Sequence, residues 1–202
     1  MPAPFEIVAA PFTLYWAAVG TAFPATPAVA PAAAWTLVGA SGDRNYKERG
    51  VTVTHEQNVQ LFRGLGSTGP VKAFRTSEAL RISLELADIT LEMYRLALNN
   101  NTVTDVAAIS GVAGYRRIDL YQNLTVAQMA LLVRGQSPYV DDAFKVDFRI
   151  PVVVQIASPA PVHMKGEPAG LALEFTALED PNAATAAERF GRLFGQDAAA
   201  LP

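Results

Sequence analysis

The chain has no cysteine, which excludes a disulfide framework, a thiolate nucleophile and a thiolate metal site. Histidine is almost as scarce. His55 and His163 have no ligand partner at i+2 or i+4, and each reads as a strand-surface or interface side chain rather than a base or metal ligand. No stretch approaches about 18 uninterrupted apolar residues, and the opening Met-Pro-Ala-Pro-Phe-Glu lacks the basic and apolar regions of an export signal. The chain is therefore expected to be made in a cytoplasm, without membrane insertion. Clustered charge is missing too: 16 basic residues are scattered among 19 acidic ones, for a net charge of −3, so no phosphate-gripping surface is expected. No cofactor or metal is implied.

What is present points to a folded, mainly β chain with one helix. Half of the 202 residues are hydrophobic, although alanine concentrated at 28–34 and 183–200 makes the core smaller than that share suggests. The clearest signal runs from Pro70 to Asn99. Leu80, Ile82, Leu84 and Leu86 alternate with Arg81, Ser83 and Glu85, the pattern of a strand with one face in a core and one face wet. The period then changes: Asp88 is placed to cap a helix whose Ile89, Met93, Leu96 and Ala97 recur at helical spacing, and Asn99, Asn100 and Asn101 end it. A helix this short and apolar must lie on something, and the apolar face of its own sheet is nearest.

Residues 1–11 read as an extended arm, because Pro2, Pro4 and Pro11 deny it ladder hydrogen bonds. Residues 12–180 follow as one β domain. Its first strand carries Phe12, Leu14 and Trp16, and the Pro-Ala stretch 21–34 reads as a semi-rigid surface loop. A brief strand at Trp35–Val38 and a polar turn cluster come next. Val51–Phe62 and Val71–Ala87 form a long hairpin with a glycine-rich tip, too polar in its outer half to be all core, so part of it should project. Thr102–Gly114 reads as irregular and Tyr115–Tyr121 as a strand. Val126–Arg134 is ambiguous by period and reads as a strand because Gly135, Ser137 and Pro138 close it early. Phe144–Ile156 alternates strongly, with Lys145, Asp147 and Arg149 on the wet side and Pro151 marking an edge or bulge. Leu171–Ala177 is the last strand. Residues 181–202 then form a C-terminal segment in which Phe190, Leu193 and Phe194 make one face of a helix stopped at Gly195.

The chemical motifs reduce to turns and solvated faces. Gly64-Leu-Gly66-Ser-Thr-Gly69 spells G-x-G-x-x-G, but a dinucleotide site needs a strand before it and a helix after it, whereas Pro70 and a β run follow. Glycines supplying positive φ to a turn are the better reading. Asp141-Asp142 and Glu179-Asp180 abut turn signals and read as turn caps. Ser41, Ser67 and Ser110 lack the nucleophile-elbow context, Arg116-Arg117 is too short for a nucleic-acid patch, and the acceptor sequences at Asn100 and Asn123 mean nothing without export. Strands, a projecting hairpin and proline-rich arms remain, which are parts for assembly.

In the order of its pieces the chain resembles the tail tube proteins, the major tail proteins of long-tailed bacteriophages. The pieces are Thr13–Pro24, Trp35–Gly39, Gly50–Val53, the strand-helix unit Leu80–Leu98, Ala130–Gly135 before Ser137-Pro138-Tyr139, and Leu173–Pro181 closing into Arg189-Phe-Gly191. The resemblance implies a β-sandwich or barrel-like tail-tube domain without catalytic activity. It also implies a hexameric ring whose sheets join around a channel, and rings stacked into a tube that conducts double-stranded DNA without gripping it, in the virion tail. The expected partners are further copies of itself, a tape-measure protein and other tail proteins.

Within that resemblance, the polar faces Arg81, Ser83 and Glu85 with Lys145, Asp147 and Arg149 are expected to line the channel. The hairpin tip, Arg63, Gly64, Leu65, Gly66, Ser67, Thr68, Gly69 and Pro70, is expected to touch the next ring. A ligand- or carbohydrate-binding β-sandwich, and another virion or secretion-tube component of the same fold, are the rival readings.

Overall fold

The computed structural model describes residues 10–136, 145–166 and 168–196. The strands are β1 (Thr13–Ala17), β2 (Thr36–Leu37), β3 (Thr52–Phe62), β4 (Lys72–Leu86), β5 (Val103–Val106), β6 (Tyr115–Ile118), β7 (Gln128–Gln136), β8 (Lys145–Gln155), β9 (Leu171–Ala177) and β10 (Arg192–Gln196), with one helix, α1 (Leu91–Ala97). Eight strands make one sheet in the order β2-β1-β7-β8-β9-β4-β3, with β10 also on β8; β5 and β6 form a separate ribbon. Every ladder is antiparallel. The fold is mainly β with one packed helix, as the alternation predicts. Most of residues 1–11, the Asp141-Asp142 pair, the Ser137-Pro138 stop and the last six residues lie outside the described residues.

Strand β8 sits in the middle and changes partner along its length. It has β7 on one side; on the other, β10 pairs with Lys145–Arg149 and β9 with Val153–Gln155. Pro151 falls in the gap between those two partners. On the β7 side it also lies in a bulge, since Met129 pairs with Val153 but Leu131 with Ile150. A residue with no N–H to donate fits only where the ladder is interrupted, so the expected bulge is found.

The main core lies on one face of the sheet. Leu14, Leu80, Ile82, Leu84, Leu86, Leu131, Ile150, Leu173 and Phe175 are buried there with Met93, Leu96 and Ala97 of α1. Each large apolar side chain fully withdrawn from water contributes about 1.5–3 kcal/mol, enough in sum to hold a helix of 7 residues that could not stand alone. The cap of that helix differs from expectation. Thr90, not Asp88, is the N-cap, its Oγ1 accepting from Met93 N at 3.2 Å, because the chain needs two more residues after β4 before it can turn onto the core. Asn99 and Asn100 end it in left-handed backbone, at φ 59° and 58°.

Three further expectations are corrected. Thr102–Gly114 is not irregular throughout, since Val103–Val106 pairs with Tyr115–Ile118 as the β5–β6 ribbon. The segment around Phe190, Leu193 and Phe194 is not a helix: a 3₁₀ turn at Ala186–Glu188 leads into β10, whose residues gain a ladder on the free edge of β8. Gly191 makes that turn possible at φ 113°, and a Cβ there would lie 2.2 Å from Arg149 O. The Pro-Ala stretch 21–34 is mostly exposed and forms no strand or helix, yet it is anchored to the sheet. Pro24 and Pro27 are buried, and the Phe23 ring stands 5.0 Å from the Trp35 ring, over a second cluster with Ala17, Ala130 and Leu132 on the opposite face of the sheet.

The third correction concerns Asp147 and Arg149, which are buried rather than on a wet face of β8. Both faces of β8 are covered, one by the main core and the other by the Pro-Ala segment and Phe194, so strict in-out alternation does not decide exposure there.

Candidate functional site

The hairpin is the most exposed large feature. β3 runs for 11 residues and β4 for 15, yet β9 pairs only with Arg81–Leu86 of β4, so the ribbon beyond Leu80 stands clear of the sheet. Its outer half carries exposed Val59, Leu61, Phe62, Val71 and Phe74, and Leu65 at the tip is fully exposed at 109%. The other edge of β3 has no strand against it among the described residues. At the opposite end of the sheet β2 is only 2 residues long. A long unpaired edge is a template for another chain, and natural proteins cover or blunt such edges.

The glycine-rich tip joins two antiparallel strands, so its turn reading holds and no phosphate loop is present there. The reason differs from the expected one. Gly64, Gly66 and Gly69 are not among the positive-φ glycines, and a Cβ on any of them would meet nothing within 4 Å. The turn is closed instead by Ser67 N donating to Gly64 O at 3.0 Å and Val71 N donating to Phe62 O at 2.8 Å.

The polar face of β4 is a row of ion pairs. Arg81 reaches Glu174 on β9 at 3.1 Å and Glu56 on β3 at 3.2 Å, and Glu85 meets Lys47 at 2.7 Å. The hydrogen bond that Arg81 donates to Glu174, followed by the field of Glu56, holds its guanidinium charged even more firmly than usual. Arg81, Ser83 and Glu85 are half-buried, as is Lys145, so these four keep solvent access. Asp147 does not. Its carboxylate is 0% exposed and takes a two-pronged grip from Arg134, at 2.7 and 2.8 Å, with Arg149 Nη2 at 3.4 Å. Arg149 in turn stacks 3.7 Å above the Phe194 ring, and Arg134 donates to Val29 O at 2.8 Å. This triad pins β7, β8, β10 and the Pro-Ala segment together.

A second exposed apolar surface lies on the loop entering β7. Leu120, Tyr121, Leu124 and Val126 are all exposed, Leu124 at 94%. Two asparagines hold the loop in shape. Asn99 Nδ2 donates to Gln122 O and Thr125 O while its Oδ1 accepts from Ala127 N, and Asn101 Nδ2 donates to Asp119 O and Tyr121 O at 2.6 and 2.9 Å. Asn123, at φ 63°, caps Leu124 N through its own side chain at 2.7 Å. Beside it, Arg116 bridges Glu92 of α1 and Asp105 of β5, and the Glu92 carboxyl is held below its ordinary value by its own backbone N–H and then by the hydrogen bond from Arg116. The run Asn99-Asn-Asn101 was legible as a stop but not as a clamp, because the carbonyls it holds are about twenty residues downstream.

A hollow of about 400 Å³ lies between the base of the ribbon and β10. Leu80, Phe148, Ile150 and Phe190 floor it, and His55, Arg75 and Glu78 stand at its rim. His163 is exposed elsewhere. Asp180 caps its own turn, Oδ1 accepting from Asn182 N at 2.9 Å, and Glu179 pairs with Arg189 at 3.0 Å, as turn residues should. Among the described residues no three His, Asp or Glu side chains converge as metal ligands would, and no helix is long and apolar enough to cross a membrane. No protein-family model matches the chain, and no curated protein matches it.

Proposed function

We propose that this chain is a structural subunit that builds a tube, of the kind the tail tube proteins make: hexameric rings joined edge to edge around a channel and stacked into a conduit for double-stranded DNA. The observation that carries the proposal is the 11-residue β3, one edge in the β4 ladder and the other without a strand among the described residues, at the end of a sheet whose outermost ribbon projects past its own core. Such an edge suits closure between copies, because each new copy satisfies the open backbone groups of the last. The ion-paired face of β4, with Arg81, Ser83 and Glu85, is the candidate channel wall together with Lys145; Asp147 and Arg149 are left out because they are buried. Around Arg81 and Glu85 the charges of that wall are paired, so this stretch offers DNA few unbalanced cations to stick to. The tape-measure protein and other tail proteins are the further partners, and the virion tail, assembled in the host cytoplasm, is the proposed location.

The rival of a ligand-binding β-sandwich draws on the 400 Å³ hollow beside β10, of a size and apolar floor that suit a small molecule. Oligomeric form separates the two. Electron microscopy and light scattering of the purified chain should show rings of six or tubes. A monomer at every concentration tested would refute the tube.

A further inference from the structure

The two exposed apolar surfaces sit at opposite ends of the sheet. One row of paired residues crosses it, Gln128 to Val154, Val154 to Thr176, Thr176 to Arg81 and Arg81 to Thr54. The outer ribbon, with Leu65 at its tip, extends from one side of that row, and the asparagine-clamped loop 119–127 enters β7 from the other. Neither surface can reach the other within one chain. We infer that the clamped loop is the seat for the hairpin tip of a second copy, in the adjacent ring; the inference rests on the tube reading and names the surface that reading leaves open.

Three observations favour a second copy as the occupant. The first is shape: a head-to-tail contact between opposite ends repeats without closing, as a stack of rings requires. Charge is the second. Between Gln57 and Ser77 the hairpin has no acidic residue, and its Arg63 and Lys72 have no ion-pair partner among the described residues, Arg75 being paired with Glu78; Asp88 and Asp119 at the other end are likewise without an ion-pair partner among the described residues. Area is the third: six large exposed side chains on the ribbon, on the order of 100 Å² each, are divided by the ladder register between two faces, Val59 and Leu61 on one and Phe62 and Phe74 on the other, so one face with Leu65 at the tip presents roughly 300 Å², a small contact that gains strength by repeating around a ring. The clamp adds a reason for Asn99 and Asn101 to be there. Leu124 and Tyr121 are displayed on a loop whose carbonyls are already bound, so little chain entropy is lost on docking.

The absence of cysteine allows a direct test. The double variant Leu65→Cys/Leu124→Cys, assembled and mildly oxidised, should give a disulfide ladder running well past six chains, whereas either single variant should stop at dimers. Both positions are exposed, so the fold should tolerate the changes. In parallel, Leu124→Asp should keep rings while raising the concentration needed for tubes about tenfold or more, as loss of a central contact does. Tubes that form without the ladder, or a ladder that ends at six, overturn the seat between rings and leave the tube standing. A parent chain that forms neither rings nor tubes overturns both.

Discussion

Changing Asp147 to Asn tests the account of the interior most directly. The substitution keeps size and shape but removes the anion that two arginines share, Arg134 at 2.7 and 2.8 Å and Arg149 at 3.4 Å, at a site with 0% exposure. Those guanidiniums cannot deprotonate, so they must stay buried and unbalanced or drag water in. Breaking a buried pair from one side costs about 3–5 kcal/mol, a fifth or more of the roughly 5–15 kcal/mol that holds a domain together. For a chain of 202 residues, at about 2–4 °C per kcal/mol, the midpoint should fall by roughly 6–20 °C. Urea unfolding followed through Trp16 and Trp35 would measure it, at dilutions where assembly contributes nothing. A loss below about 1 kcal/mol, the usual worth of an exposed pair, would mean that Asp147 faces water and would refute the reasoning. A companion variant, Arg134→Met/Asp147→Leu/Arg149→Met, should recover most of the loss, since an apolar trio needs no counter-charge. It should fall short of the parent because the Arg134 bond to Val29 O goes too.

Tyr46→Phe should destabilise by about 1–3 kcal/mol in the same assay, because the phenol donates to Val38 O at 2.8 Å and accepts from Leu14 N at 3.1 Å, and both backbone groups would be left without it. Burial pushes the Tyr46 phenol far above its ordinary value, so its contribution is intact below about pH 10 and drains only as the pH rises beyond that; the Phe variant should lose this alkaline component. Gly191→Ala should lower the unfolding midpoint clearly, as its Cβ would press on the Arg149 carbonyl, while Gly66→Ala, which meets nothing, should not. Removing Leu65–Thr68 should leave the cooperativity of unfolding nearly unchanged and weaken tube formation in electron micrographs; tubes formed as readily as by the parent would make the hairpin a mere surface turn.

Much of the sheet could be read from period alone. Leu80 to Leu86 alternates in the structure as in the sequence because only one face of β4 meets the core there, and Arg81, Ser83 and Glu85 stay wet. The same logic failed on β8. Its polar residues look outward by alternation, but the Pro-Ala segment folds back over that face, and no local pattern in Asp147 or Arg149 announces a cover some 120 residues earlier in the chain. The C-terminal segment failed for a related reason. Phe190, Leu193 and Phe194 have helical spacing, but an open edge on β8 offered a full ladder to the same residues, and that long-range gain outweighed the local preference. The clamp of Asn99 and Asn101 and the bridge at Arg116 are likewise contacts between distant stretches, so the receiving loop could not be seen from residue types in sequence.

The way the ribbon is rooted has a mechanical consequence. Ladder hydrogen bonds lie across the strands. A pull on the tip along the ribbon would therefore have to slide β4 past β9 with all six pairs from Arg81–Thr176 to Leu86–Leu171 loaded in shear together. A sideways pull would instead peel the open strand β3 from β4 one pair at a time. The root of the ribbon is thus set to resist tension along its strands and to yield to a pull across them.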